Sequence, residues 1–319
     1  MKKRPTPRRP KTKARSLLQS VTVRVPGSTS NLGAGFDTLG LAVALYNDVT
    51  LCRTAEAGVH AASPDAVAGV DMASEAAAWF FARAGVPEFG FSFVVRGDVP
   101  MSRGLGSSVT LRAGIVAGLN ELSGAGLDKA DLAELVTKLE GHPDNATPAV
   151  LGGFCVGRTD PSRGVLTGVV RRSIGRELVF VVVSPSQELE TKKARGILPK
   201  EIPYFDAVRS INSASYVVAA FLSGEYDRLA HAVADFMHEP YRLPLIPGAR
   251  DAIEAGVAAG ALTGWLSGSG SSVMCVARPT KAAKVARAMV HAFAAAKVPS
   301  RSFRLHADND GLRIIARAR

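Results

Sequence analysis

The chain has no apolar run near the ~18 residues that a bilayer-spanning helix needs, so no membrane segment is expected. Cysteine is scarce as well. Cys52, Cys155 and Cys275 are odd in number and far apart, which excludes a disulfide framework or a zinc-type spacing and points to a reducing cytoplasm. The basic N-terminus leads into no apolar segment and no small-residue cleavage site, so it does not read as a secretory signal. Neither an internal repeat nor a Walker A loop ending in Gly-Lys-Ser/Thr is present. A dinucleotide Gly-x-Gly-x-x-Gly is also missing.

Acid is missing from one stretch in particular. Residues 1–15 hold eight Lys or Arg and no Asp or Glu, and without them the net charge falls from +11 to +3. This proline-rich stretch, taken as a tail over residues 1–19, has nothing to build a core from. It reads as a disordered, solvated extension rather than a nucleic-acid arm. The rest is suited to a soluble α/β protein with many tight turns, since the chain is 47% hydrophobic and has 31 glycines. Its 319 residues allow two domains around one cleft. A change of character near a basic, hairpin-like stretch places the boundary at about residue 170, giving domains 20–170 and 171–319.

Val21, Val23 and Val25 alternate as in a strand that Pro26 and Gly27 should end. Leu39–Leu51 reads as another strand, and residues 54–70 as a surface connection. Ala73–Ala84 reads as a helix with Trp79 and Phe80 inward, stopped at Gly85. Asp128 is placed to cap a helix whose stripe is Leu132, Leu135, Val136 and Leu139. Strands are expected over Leu151–Val156 and Leu178–Val183. Helices follow at Ala207–Leu222, Tyr226–Met237, Gly248–Ala259 and Lys281–Ala296, with a last strand at Ser302–His306.

The stretch Gly97–Leu122, GDVPMSRGLGSSVTLRAGIVAGLNEL, organises the whole. A strand, Phe91–Val95, runs into a glycine turn, a serine pair and a helix with Val109, Ala113, Val116 and Leu119 on one face. The first N–H groups of a helix lack internal partners and carry partial positive charge, so this arrangement suits an anion. A serine-capped helix after a flexible turn is the alternative reading. Gly114 and Gly118, four apart, suggest that another backbone passes close by.

Three glycine- and serine-rich turns stand out, at 26–40, 103–108 and 267–272. With PGSTSNLGAGFDTLG, GLGSS, EGHPDNATPAVLGG and WLSGSGSSV in that order, the chain resembles the GHMP small-molecule kinases, and within them the homoserine kinase family. The likeness runs from about Val21 nearly to the C-terminus. It implies a two-domain α/β (α+β) fold, with a left-handed βαβ crossover in the N-terminal domain and a ferredoxin-like C-terminal domain. It implies ATP and Mg²⁺ as well, with transfer of the γ-phosphoryl to the hydroxyl of L-homoserine. A different GHMP kinase, or a silent binding protein on the same scaffold, is the alternative. The family often forms homodimers, although no stretch here shows an interface.

The resemblance carries roles to individual residues. Pro100, Met101, Ser102, Arg103, Gly104, Leu105, Gly106, Ser107 and Ser108 would make the ATP loop, and Ser108 and Glu134 the metal site. Glu134 could equally pair with Lys138 on a helix surface. Asp37 would take the substrate ammonium, and Arg195 and Arg242 its carboxylate. Thr191 would share a helix face with Arg195. Asn31, His142 and Asn145 would orient the reacting hydroxyl, in a direct in-line transfer without a dedicated base, with His142 as base the alternative. The serine pair runs on as SSVTLRAG, where the family commonly has a small-residue run, and SGSGSS lacks the family's frequent proline. The SGSG turn is expected to buttress the phosphate loop.

Overall fold

In a computed structural model the protein is described over residues 18–189 and 191–319. The basic tail lies outside the described residues up to residue 17. Leu18 already packs on the core, and the Gln19 amide donates to the Ala318 carbonyl.

The chain opens with β1 (Ser20–Ser30) and β2 (Leu39–Arg53), antiparallel along their whole length. Pro26 and Gly27 do not end β1. The register shifts between them, a bulge that absorbs the missing proline N–H, and the strand runs on to Ser30. The expected connection 54–70 contains β3 (Val59–Ala61) and a 3₁₀ turn at Pro64–Gly69. Next comes α1 (Val70–Ala84), closed by Gly85 in a left-handed C-cap, then β4 (Phe91–Gly97), which pairs parallel with β3. Trp79 is not inward. Ala73, Ala77, Phe80 and Phe81 make the buried face of α1, while Trp79 lies off it, 39% exposed, with the Lys138 ammonium 4.5 Å from its ring centre.

Helix α2 (Ser107–Ser123) is buried on nearly every side. Gly114 and Gly118 do face a close neighbour, but it is side chain rather than backbone. A Cβ at Gly114 would fall 2.4 Å from Val49, and one at Gly118 2.7 Å from Leu51, both on β2. Asp128 caps α3 (Lys129–Glu140) in a full capping box with Asp131. Residues 143–151, part of which was expected to be strand, form α4 (Pro143–Leu151), and β5 (Phe154–Thr159) and β6 (Leu166–Arg172) follow.

The second sheet starts at β7 (Val179–Pro185). After it come α5 (Thr191–Gly196), α6 (Tyr204–Ser223), a 3₁₀ turn at Tyr226–His231, α7 (Glu239–Arg242) and α8 (Ala249–Ala258). Then β8 (Thr263–Leu266), β9 (Val273–Ala277), α9 (Pro279–Ala295), β10 (Ser300–Leu305) and β11 (Arg313–Ala318) complete the chain. The helix expected over Tyr226–Met237 is cut short because the Asp235 carboxylate takes the amides of Met237, His238 and Glu239 and starts the next turn. Nor is β10 the last strand, because β11 returns to pair antiparallel with β1.

The second sheet runs β10-β7-β9-β8, the split-βαβ order of a ferredoxin-like unit. Successive side chains of β7 point to opposite faces. Val179, Val181 and Val183 pack with residues of α8 and α9, and Phe180 and Val182 join the apolar ends of β2 and β5 under α6. A third core lies between the first sheet and α1–α4. The two sheets therefore share one apolar seam, and the cleft opens along its edge. No helix among the described residues is long and apolar enough to cross a membrane.

Candidate active site

A cavity of about 430 Å³ lies where the three glycine turns meet. At one end is the N-terminus of α2. Gly104 and Gly106 have φ of +68° and +72°, which side-chain-bearing residues rarely adopt. They matter for packing too. A Cβ on Gly104 would lie 2.0 Å from the Ser267 carbonyl, and one on Gly106 2.4 Å from Ser28 Oγ. Neither serine caps the helix; Gly106 is the N-cap and no side chain occupies the position. The first amides of α2 thus face the cavity without a side-chain cap, the arrangement that favours an anion.

The turn at 267–272 does buttress this loop. Ser267 Oγ donates to the Gly104 carbonyl at 2.7 Å, and the Ser272 amide donates to that of Arg103 at 3.1 Å. Met101, Ser102, Arg103, Gly104, Gly106, Ser107 and Ser108 all line the cavity, whereas Pro100 and Leu105 do not. Leu105 is core, and its carbonyl takes the Ser28 amide. The Arg103 guanidinium faces the second lobe, donating to the carbonyls of Pro185 and Ser186 and pairing with Glu188. Beyond the loop, Gly69, Met72, Phe93, Val95 and Leu111 form an apolar slot suited to a flat ring.

Glu134 does not line the cavity; Glu140 does. Glu140 is the last residue of α3, its side chain 7% exposed, with Oε2 3.5 Å from Ser108 Oγ. Six residues on a helix turn a side chain well away from its starting direction, so the two glutamates face different ways. The carboxylate was in plain view as the first letter of EGHPDN. Two oxygen donors beside a turn whose uncapped amides favour an anion fit Mg²⁺, which keeps several waters and takes few protein ligands.

The other end of the cavity is built from charged side chains. Asp37, at φ +53°, is held in its turn by Asn31, whose Oδ1 accepts the Asp37 amide while Nδ2 donates to the Gly268 carbonyl. Arg195, from α5, forms a two-pronged pair with Asp37 at 2.6 and 2.9 Å. Arg242 is different. It is 2% exposed, and its contacts are the Ala194 and Gly268 carbonyls and the His238 ring, with no carboxylate at salt-bridge distance among the described residues. Burial, with Arg195 close by, pulls its pKa down to about 10. The side chain of Thr191 lies outside the described residues.

His238 was assigned no role from sequence, yet it positions Arg242. It is fully buried, its Nε2–H donates to the Gly33 carbonyl, and burial lowers its pKa, so the ring is neutral and Nδ1 can accept from Arg242. Phe36 stacks on His238 with ring centres 5.2 Å apart, and both guanidiniums sit over it, Arg195 at 5.4 Å and Arg242 at 5.1 Å. Below them the half-buried Glu239 carboxylate loses enough water contact to push its pKa up to about 8, and it accepts the Leu266 amide.

His142 and Asn145 sit between the two ends. Asn145 Oδ1 accepts from Ser28 Oγ, and Nδ2 donates to Ser30 Oγ. His142 Nδ1 bonds to Asp144, another residue missed from sequence. Burial alone would lower the His142 pKa, but the Asp144 carboxylate outweighs it and the net shift is upward. For Asp144 burial works toward a higher value, and the imidazole, Ser30 and the Asn145 amide hold it below the ordinary range. Donor atoms of Asp37, His142 and Asp144 lie within 4.8 Å of one another, a metal-like spacing. The imidazole and Arg195 already compensate both carboxylates, which leaves the cluster little net charge to offer a metal.

Known proteins show the same arrangement of segments. The profile "GHMP kinases N terminal domain" matches residues 71–153, and "GHMP kinases C terminal" matches 217–295. The chain is 37% identical over 283 residues to a homoserine kinase from Moorella thermoacetica, covering 85% of this chain and 92% of that one. With a homoserine kinase of Prochlorococcus marinus it shares 37% over 293 residues, 89% of this chain and 92% of the other. The crystal structure of homoserine kinase from Cytophaga hutchinsonii superposes with a TM-score of 0.85 at 28% identity, covering 95% of this chain and all of that one. With fold, motif order and full-length likeness in agreement, the chain belongs to the homoserine kinase family of the GHMP kinases.

Proposed function

We propose that this protein moves the γ-phosphoryl group of ATP onto the side-chain hydroxyl of L-homoserine, yielding O-phospho-L-homoserine for threonine synthesis. One observation carries the reading in this chain's own residues. A single cavity has an uncapped helix N-terminus at one end and a carboxylate with two guanidiniums at the other.

Phosphoryl transfer depends chiefly on alignment and charge neutralisation. In this reading the amides after Gly106 receive the terminal phosphates, and the apolar slot takes the adenine. Segment 20–170 carries these parts, and segment 171–319 supplies both arginines. Ser108 and Glu140 would hold Mg²⁺, which neutralises triphosphate charge when bound. Arg242, already oriented by carbonyls, takes the α-carboxylate. Asp37 takes the ammonium, which frees Arg195 to share the carboxylate. Asn31 and Asn145 fix the hydroxyl, and neither amide can accept its proton. His142 is a poor base near neutrality because Asp144 favours its protonated form. The proton therefore leaves to phosphate or solvent.

An ADP-release assay against a panel of amino acids and polyols tests this. Turnover of L-homoserine, with little on mevalonate, shikimate or sugars, is the expected result. The reverse pattern would make it another GHMP kinase. Nucleotide binding without turnover of any alcohol would make it a binding protein on this scaffold.

A further inference from the structure

Arg112 stands one helical turn after Ser108 on α2 and reaches toward the same carboxylate. Its Nη1 donates to Glu140 Oε1 at 2.6 Å, leaving Oε2 for Ser108 Oγ. Its Nη2 goes to Glu75 of α1 at 2.9 Å. The guanidinium thus ties three helices together at the metal end of the cavity. It does so without the usual fork on one carboxylate, since the two prongs hold different glutamates and the buried Nε has no partner. A carboxylate as enclosed as Glu140 is unfavourable without a counter-charge. Arg112 supplies that charge when nothing else is present. Once a divalent cation approaches Oε2, it meets a second positive centre across the same carboxylate.

We propose that Arg112 is a positioning residue that makes metal entry depend on nucleotide. It neutralises and aims Glu140, so a bare divalent cation gains too little from Ser108 and Glu140 to bind. A cation already carried on a triphosphate brings the extra negative charge that offsets Arg112. The inference rests on the proposed reading of this cavity as a Mg²⁺·ATP site, and on Glu140 as its carboxylate.

Mn²⁺ binding followed by electron paramagnetic resonance, with and without a non-hydrolysable ATP analogue, tests it in the full chain. Wild type should bind Mn²⁺ only with the analogue. Arg112→Met should bind it without nucleotide about tenfold more tightly or better, because the repulsion is gone. Mn²⁺ alone should then raise the melting temperature of Arg112→Met and leave that of wild type unmoved. Arg112→Lys should restore the dependence on nucleotide, which a purely structural role would not predict. Unchanged nucleotide-free Mn²⁺ affinity in Arg112→Met would overturn the role of Arg112, provided Glu140→Gln still weakens binding of the Mn²⁺·analogue complex. Equal binding of that complex by wild type and Glu140→Gln would instead overturn the metal site itself.

Discussion

The two ends of the cavity are made in opposite ways. The phosphate end is main chain: a positive-φ glycine turn and uncapped amides, all within residues 104–108. The zwitterion end is side chain, drawn from β1's following turn, α5, α7 and the turn before α4, and fixed by ion pairs and a stacked phenylalanine. A backbone site is set by local conformation and fails when that conformation is lost. A side-chain site is set by long-range closure and can lose one partner at a time. The first kind should therefore respond to substitution abruptly and the second in steps.

The largest expected effect is Gly104→Ala. Its Cβ would meet the Ser267 carbonyl in a left-handed backbone, displacing the loop. Misplacement of about 1 Å can cost two orders of magnitude, so kcat/KM should fall roughly 10²–10³-fold for both substrates. Melting temperature should drop as well. A small, ATP-specific loss would show that the loop tolerates movement and that the two ends differ less than their construction implies.

Arg242→Met should come next, raising the KM for homoserine roughly a hundredfold while the KM for ATP changes little. Because Arg242 has no carboxylate partner among the described residues to orphan, the protein should remain folded. Asp37→Asn should raise the same KM by a smaller factor, about tenfold to thirtyfold. It loses the ammonium contact but also frees Arg195 for the carboxylate. An unchanged KM in Asp37→Asn would remove Asp37 from the amine site.

The smallest effect is one of pH on stability. The folded His142 pKa is raised above its ordinary 6.5, so its contribution is complete below 6.5 and is lost as pH rises through the raised value. The folded Asp144 pKa is depressed below 3.8, so its contribution is complete above 3.8 and is lost as pH falls through the depressed value. The gap in melting temperature between wild type and Asp144→Asn should be widest between those limits and narrow toward alkaline pH. A gap that widened there would mean the imidazole is neutral in the folded protein.

The same contrast explains what could be read in advance. Gly104, Gly106 and the serine pair are adjacent, and the capping box at Asp128 and Asp131 is likewise complete in four letters. Counting along α3 does not say which turn ends beside α2; only the packing of α3 on α2 puts Glu140, and not Glu134, on the cavity wall. His238 and Phe36 became visible as supports only when α7 and the first turn met across the lobes. Trp79 and Phe81 flank Phe80 on opposite sides of α1, and the core takes the Phe81 side together with Ala73 and Ala77, which leaves Trp79 outside the buried arc. β11 escaped notice because RIIARA alternates poorly and is largely exposed, so its partner β1, rather than its own pattern, makes it a strand.

That pairing has a further consequence. Ser20 lies opposite Ala318, so the sheet that carries the nucleotide end is closed by residues nearly the whole chain away. A fragment stopped near residue 170 would leave β1 with a bare edge, an invitation to aggregate. Two separately expressed pieces divided there should thus be poorly soluble apart and should regain activity only when mixed, the behaviour of a split protein rather than of two independent domains.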